Sequence, residues 1–261
     1  MAKKNSSINA RPFLPFAAAP KNQLRQKVRG GGPKPRESAA EHGQELLRQI
    51  DAFQKTIDQQ AASRAPDLPP LPDDVQVIID AKKLMPEQAR SLGVDLIEER
   101  NDGLLVTVSP DVTLPTLATK AQSYGTETTD SGNPRYGGSI APIDGIRPAN
   151  RFDKAGDRLA AILDDDELKP NEMVWVDVEL SGGDTVAGGK NRQEFFDYVG
   201  TFNEPAAPYA EDVVTATGMF LVEVDYSLHR VQLPGRAILD LLDDSRANWI
   251  LSIDLVPEVE E

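Results

Sequence analysis

An α+β fold is what the sequence predicts, and three observations predict it. Short β-branched or alternating runs at residues 75–79, 104–108, 173–180 and 249–255 are interleaved with helix-period segments. The order strand, helix, strand, strand, helix, strand can be read twice, over residues 75–150 and over residues 171–261. That order is a split βαβ unit, so the expected architecture is two tandem ferredoxin-like domains. Ahead of them the sequence predicts a disordered, basic Pro/Gly-rich arm (1–36), an amphipathic helix (37–64) and a Pro-rich linker (65–74). A connecting helix (151–170) is expected between the domains.

The arm contains Arg11-Pro-Phe-Leu-Pro-Phe16 and Gly30-Gly-Gly-Pro-Lys-Pro35, a proline and glycine density that excludes a helix or a central strand. In the helix that follows, Leu46, Leu47, Ile50, Phe53 and Ile57 recur every three or four residues and form one apolar stripe. Ser38 is its N-cap and Glu41 completes a capping box. The stripe must cover something, either a folded domain of this chain or a partner helix. Leu46, Ile50, Phe53 and Ile57 are therefore candidate partner-docking residues. His42, at the helix start, reads as a solvated surface residue. Four prolines between Pro66 and Pro72 make the linker stiff and extended.

In the first domain, strand 75–79 is followed by a helix at 85–92 with Pro86 in its first turn. Strands 94–100 and 104–108 flank Asn101-Asp-Gly103, a hairpin signal. Thr113 caps a helix through residue 123, a polar insertion occupies 125–138, and a closing strand at 140–146 is confined to an edge by Pro142. Residues 152–168 read as one amphipathic helix ending in Asp164-Asp-Asp-Glu167, a charge run that reads as a solvated helix end. In the second domain, Val174, Val176 and Val178 alternate with Trp175, Asp177 and Glu179. A glycine loop (181–189) leads to a helix at 191–202. Two extended runs at 213–226 and 228–233 follow, then a helix at 236–242 and the closing strand. A sheet of this type keeps one face free of helices, and an apolar patch there marks a binding face.

Composition narrows the function. The 261 residues carry a net charge of −14, but residues 1–36 hold nine Lys/Arg and no Asp/Glu, leaving 19 basic against 42 acidic residues in the rest, a net of −23. An acidic body argues against nucleic-acid binding, which needs a Lys/Arg surplus. The arm reads first as a solubilising tail, with nucleic acid or the acidic body as its alternative contacts. There is no Cys, which excludes disulfides and thiolate chemistry and fits the cytoplasm. No apolar run is long enough to cross a membrane.

No catalytic constellation emerges. The two His residues, His42 and His229, lie near no nucleophile motif. The run Ser181 to Asn191 links strand to helix as a phosphate loop does, but Asp184 stands where the first glycine belongs and Asn191 replaces the Mg²⁺-binding Ser/Thr. Asp130-Ser-Gly132 matches a subtilisin-type Asp motif but lies in a polar insertion. Nothing calls for a metal or another cofactor.

Several stretches occur together: Gly30-Gly-Gly-Pro-Lys-Pro35, Ala40-Glu-His-Gly-Gln-Glu-Leu-Leu47, Asp95-Leu-Ile-Glu-Glu-Arg-Asn-Asp-Gly-Leu-Leu-Val-Thr-Val108 and Glu172-Met-Val-Trp-Val-Asp-Val-Glu-Leu180. The chain thereby resembles the long N-terminal region of bacterial subtilisin-like (S8) serine peptidases paired with an AAA-type ATPase in phage defence. With Val231-Gln-Leu-Pro-Gly-Arg-Ala-Ile-Leu-Asp-Leu-Leu242 and Trp249-Ile-Leu-Ser-Ile-Asp-Leu255, the second domain also looks like a subtilisin propeptide. In that family the catalytic Asp, His and Ser come after this region, so no catalytic residue is carried over.

The resemblance implies a non-catalytic regulatory region that acts as an intramolecular chaperone, inhibitor or docking module. Its partners would be a subtilisin-like catalytic domain, in cis or in trans, and the ATPase. Leu255, Val256, Pro257, Glu258 and Val259 would run toward the protease cleft as a product-like strand. A stand-alone adaptor or peptidase inhibitor, and a small-ligand sensor, are the alternatives.

Overall fold

The computed structural model describes residues 38–81, 84–100, 103–165, 167–202, 219–223 and 225–257. The predicted arm (1–36), the tip of the 94–108 hairpin and most of the 213–226 run lie outside them. Helix α1 (Ala39–Ser63) is capped by the Ser38 hydroxyl, which accepts from Glu41 N at 3.1 Å. The first domain comprises β1 (Val75–Ala81), α2 (Pro86–Ser91), β2 (Asp95–Glu99), β3 (Leu104–Ser109), α3 (Pro115–Thr126), α4 (Gly137–Ile140) and β4 (Ile143–Pro148). Two short helices connect the domains, α5 (Arg151–Lys154) and α6 (Asp157–Asp164). The second domain comprises β5 (Met173–Ser181), α7 (Val186–Gly200), β6 (Met219–Val222), β7 (Tyr226–Pro234), α8 (Gly235–Asp243) and β8 (Ile250–Leu255).

Both sheets are antiparallel, with strand orders β2-β3-β1-β4 and β6-β7-β5-β8. This is the ferredoxin-like order, twice. In each sheet the inward residues of alternate positions meet helices: Val75, Val77 and Ile79 in the first core, and Val176, Val178 and Leu180 in the second.

Helix α1 belongs to the first domain. Leu46, Ile50, Phe53 and Ile57 are buried in the first core, at most 5% exposed. The stripe is therefore spent on this chain's own sheet and is not available to a partner helix. Two polar residues of α1, seven apart and so two turns apart, reach the outer edge of β4. His42 Nε2 meets Ile143 O at 2.9 Å, and Gln49 Oε1 accepts from Ile146 N at 2.9 Å. His42 is thus buried and not solvated, because its partner lies 101 residues along the chain.

Four other expectations change. The predicted closing strand begins later, at Ile143, since Ile140 sits in α4 and Pro142 precedes the strand. The residue capping α3 is Leu114, in left-handed backbone at φ 46, while the Thr113 side chain bonds Asp111. Pro115 disfavours helical backbone at the residue before it, and burial of the Leu114 side chain holds the conformation. The single helix expected at 152–168 is broken at Ala155–Gly156. There the chain adds a parallel bridge to β8, Gly156 N donates to Ile253 O at 2.8 Å, and Asp254 accepts from Leu159 N at 2.9 Å. Helix α7 begins five residues before its expected start, because Thr185 caps Gly188 N at 3.0 Å.

The linker opens with a turn at residues 65–68, closed by Leu68 N on Ala65 O at 3.2 Å, where the sequence predicts a wholly extended segment, and its remainder is not free. Pro69 is buried, Leu71 packs on the second core, and Asn248 Nδ2 donates to Asp74 O at 2.8 Å. In return the α8–β8 corner lies on the first sheet. Gln76 N and Nε2 donate to Ser245 O (2.8 Å) and Ile250 O (3.2 Å), and Ser245 Oγ donates to Ala149 O at 3.1 Å. Gln76, Ile78, Val106 and Ala149 are all buried at this side. The first sheet's helix-free face is thereby largely covered.

Candidate functional site

The second sheet's helix-free face stays open at its Met173–Trp175 end and at Leu221, while Glu179 is partly buried near Glu98 of the first domain. Period-two alternation sends Trp175, Asp177 and Glu179 of β5 away from the core. Their cross-strand neighbours on β7 are Gln232, Arg230 and Leu228, and Leu221 of β6 lies opposite Leu228. Met173 and Trp175 are 42% and 43% exposed and form a small apolar patch at one end of β5, while Leu221, 40% exposed, stands apart from them at the Glu179 end of the sheet. Between the two, Arg230 forms a two-pronged ion pair with Asp177, at 2.7 and 2.9 Å. The hydrogen bonds that Arg230 donates to Asp177 raise the Arg230 pKa, and their two-pronged geometry makes the pair a planar element of the face. The Glu179 carboxyl is pushed up, chiefly by burial and further by Glu98 of the first domain, while the Ser252 hydroxyl (3.0 Å) works in the opposite direction.

The predicted tail leaves beside the Met173–Trp175 patch. Leu255 packs half-buried against the second core, Val256 N donates to Trp175 O at 3.4 Å, and Pro257 is exposed. Glu258 and Val259 lie outside the described residues. The exposed indole and the exit of the tail are thus neighbours, which the sequence did not reveal because register between β5 and β8 was needed to place them.

Other candidate chemistry disperses. Asp130 sits at the exposed tip of a small hairpin closed by the Thr128–Pro134 bridge, with no His beside it among the described residues. The glycine loop is a close-packed turn. Gly182 and Gly183 have φ of +90° and +41°, and a Cβ on Gly188 would lie 2.4 Å from the carbonyl oxygens of both.

One Ser–His contact that sequence reading missed is Ser227 Oγ to His229 Nε2, 2.9 Å. The two are i and i+2 on β7, so they share a face. Both are sealed, at 0% and 1% exposed, and His229 Nδ1 finds no carboxylate among the described residues. Burial lowers the His229 pKa to about 4. A base without an acid to orient it, beside a hydroxyl that no substrate reaches, does no acyl transfer.

Two buried ionic groups were also missed. Lys154 donates to Leu241 O, Asp244 O and Ala247 O at 2.9–3.2 Å, supplying the carbonyls at the end of α8. Arg64 grips Asp240 through Nε and Nη2, both at 2.8 Å, and Tyr198 OH donates to the same carboxylate at 2.7 Å. Arg64 ties the end of α1 to the second domain, and Lys154 ties the connecting helix α5 to it. No described helix is long and apolar enough to cross a membrane.

No curated protein and no solved structure matches the chain. A family model, that of the Y4kK N-terminal domain, matches residues 40–150, which is α1 together with the whole first ferredoxin-like domain.

Proposed function

We propose that this chain is the non-catalytic regulatory region of a subtilisin-like serine peptidase, and that its second domain docks by the helix-free sheet face on the catalytic domain. It acts in the cytoplasm as inhibitor, folding aid or docking module, in phage defence beside an AAA-type ATPase. The observation that carries the reading is the uncovered Met173–Trp175 patch, adjoining the exit of the tail. The sealed Ser227–His229 pair is consistent with a binding role. The matching family model is named as an N-terminal domain, which suits a region placed ahead of another domain. Recruitment of a partner by the α1 stripe loses support, because that stripe is buried.

The test is binding and inhibition of a subtilisin-like catalytic domain by the full chain. Trp175→Asp places a charge at the centre of the contact and should weaken both by about a hundredfold, as loss of a central aromatic anchor does. Absence of binding and of inhibition by the unmodified chain rejects the reading.

A further inference from the structure

The segment between α1 and β1 behaves as a bound ligand of the second domain. Arg64 anchors its start on Asp240 and also donates to Pro69 O. A turn follows, with Leu68 N donating to Ala65 O at 3.2 Å and Asp67 paired to Arg236 at 2.6 Å. Pro69, Pro70, Leu71 and Pro72 then run along α7 and the start of β8. They flank a recess of about 310 Å³ whose other wall is Glu194, Asp197, Tyr198, Thr201 and Trp249. Pro69 is buried and Leu71 touches the second core. The Tyr198 and Trp249 rings lie 6.3 Å apart at 65° and form an angled aromatic floor. Trp249 is 1% exposed, and its Nε1–H has no acceptor among the described residues.

These parts have a common chemical logic. Proline fixes φ, so a Pro-rich segment enters a groove already extended and loses little entropy. Aromatic walls take the pyrrolidine rings, and an acidic group beside them takes a basic residue of the ligand. Here the acidic group is Asp240, the basic residue is Arg64, and the aromatic walls are Tyr198 and Trp249. With residues 69–72 in place the Trp249 Nε1–H still finds no acceptor among the described residues, so Trp249 contributes its ring to the groove and not a hydrogen bond.

We propose that the groove between α7 and Trp249 is a binding site for proline-rich peptides led by an arginine. Residues 64–72 occupy it as a resident ligand, and an external segment of the same chemistry displaces them. This site is separate from the open sheet face and does not depend on the function proposed for that face. Displacement would release the connection between α1 and β1, so occupancy in trans would loosen the first domain from the second.

The probe is a fluorescent peptide of residues 62–74, titrated into the full chain and into its Pro69→Gly/Pro72→Gly variant. A tethered ligand competes at an effective concentration in the millimolar range, so the variant should bind at least about tenfold tighter than the unmodified chain. Peptides with Arg64→Ala, or with Pro69→Ala and Pro72→Ala together, should lose that binding. Equal affinity for the two chains, or no binding to a variant that circular dichroism shows to be folded, overturns the proposal. If the variant does not fold, the unmodified chain decides. It has two Trp residues, so its spectrum has two indole N–H resonances, and millimolar peptide should shift that of Trp249 and leave that of Trp175. No shift at Trp249 overturns the proposal equally.

Discussion

Asp240→Ala removes the acceptor of three hydrogen bonds at once, from Arg64 Nε, Arg64 Nη2 and the Tyr198 hydroxyl. The two charged side chains are only 12% and 5% exposed. Burial pulls the Arg64 pKa down, but the hydrogen bonds and charge of Asp240 outweigh it and the net direction is up. The Tyr198 phenol is pushed up, chiefly by burial and then by the charge of Asp240. The carboxylate is thus what lets a guanidinium sit between the two halves of the chain. Without it an uncompensated buried charge remains, at a cost of about 3–5 kcal/mol. The Pro69 carbonyl, which Arg64 also reaches, places the loss near about 3 kcal/mol, since a charged hydrogen bond recovers part of it. Arg64→Met alone leaves Asp240 held by Tyr198, and should cost about 2–3 kcal/mol. The double variant carries neither charge and should be no worse than about 3 kcal/mol, a coupling of about 2 kcal/mol. Urea unfolding followed by Trp fluorescence measures all four corners of the cycle. Losses that add to within about 0.5 kcal/mol would refute the reasoning.

Further expectations concern single groups. Lys154 is fully buried, and desolvation lowers its pKa from 10.5 to about 8 against the opposing pull of Asp244, Asp243, Asp153 and Asp240. Its folded-state pKa is depressed, so its contribution to stability is complete above pH 10.5 and is lost as pH falls through 8. The stability of the unmodified chain minus that of Lys154→Met should therefore climb between pH 8 and pH 10, and a flat difference in urea unfolding argues against it. Glu179 is raised, so its charged form is a burden at neutral pH. Glu179→Gln should raise Tm at pH 7 and change it little at pH 4, and scanning calorimetry at the two pH values distinguishes the cases. Gly188→Ala gains about 1 kcal/mol of helix propensity. It also drives a methyl to 2.4 Å from two backbone carbonyl oxygens, and strain of about 1–3 kcal/mol or more makes the net change destabilising. A chemical-denaturation midpoint that stays put or rises would contradict this.

The two βαββαβ runs were legible because each strand carries its own signal, β-branched residues at period two, and each helix its own stripe. What the α1 stripe covers was not legible, since amphipathicity names a face and not its partner. The break at Gly156 was hidden because Leu159, Ile162 and Leu163 keep helical spacing, and only the β8 edge, about a hundred residues away, demands the interruption. His42, Lys154 and Arg64 were hidden for the same reason. The hydrogen-bond partners of all three include atoms far along the chain, so local sequence made His42 look like a solvated surface group and gave no sign of the roles of Lys154 and Arg64. The open face was legible as a kind of surface. That it survives on the second sheet and not on the first depends on how the α8–β8 corner meets Gln76, which no local pattern encodes.

The way α1 meets β4 has a consequence for solubility. A bare strand edge is a template on which another chain can add a strand. His42 and Gln49 occupy the outward carbonyl of Ile143 and the outward N–H of Ile146, and the Ala155–Gly156 break between α5 and α6 performs the same service for β8 at the Ile253 carbonyl. Each works as a built-in guard against unwanted polymerisation. Clipping the chain after residue 64 would do more than remove a helix. It would bare an adhesive edge on the first domain, and the shortened protein should self-associate while its second domain remains guarded.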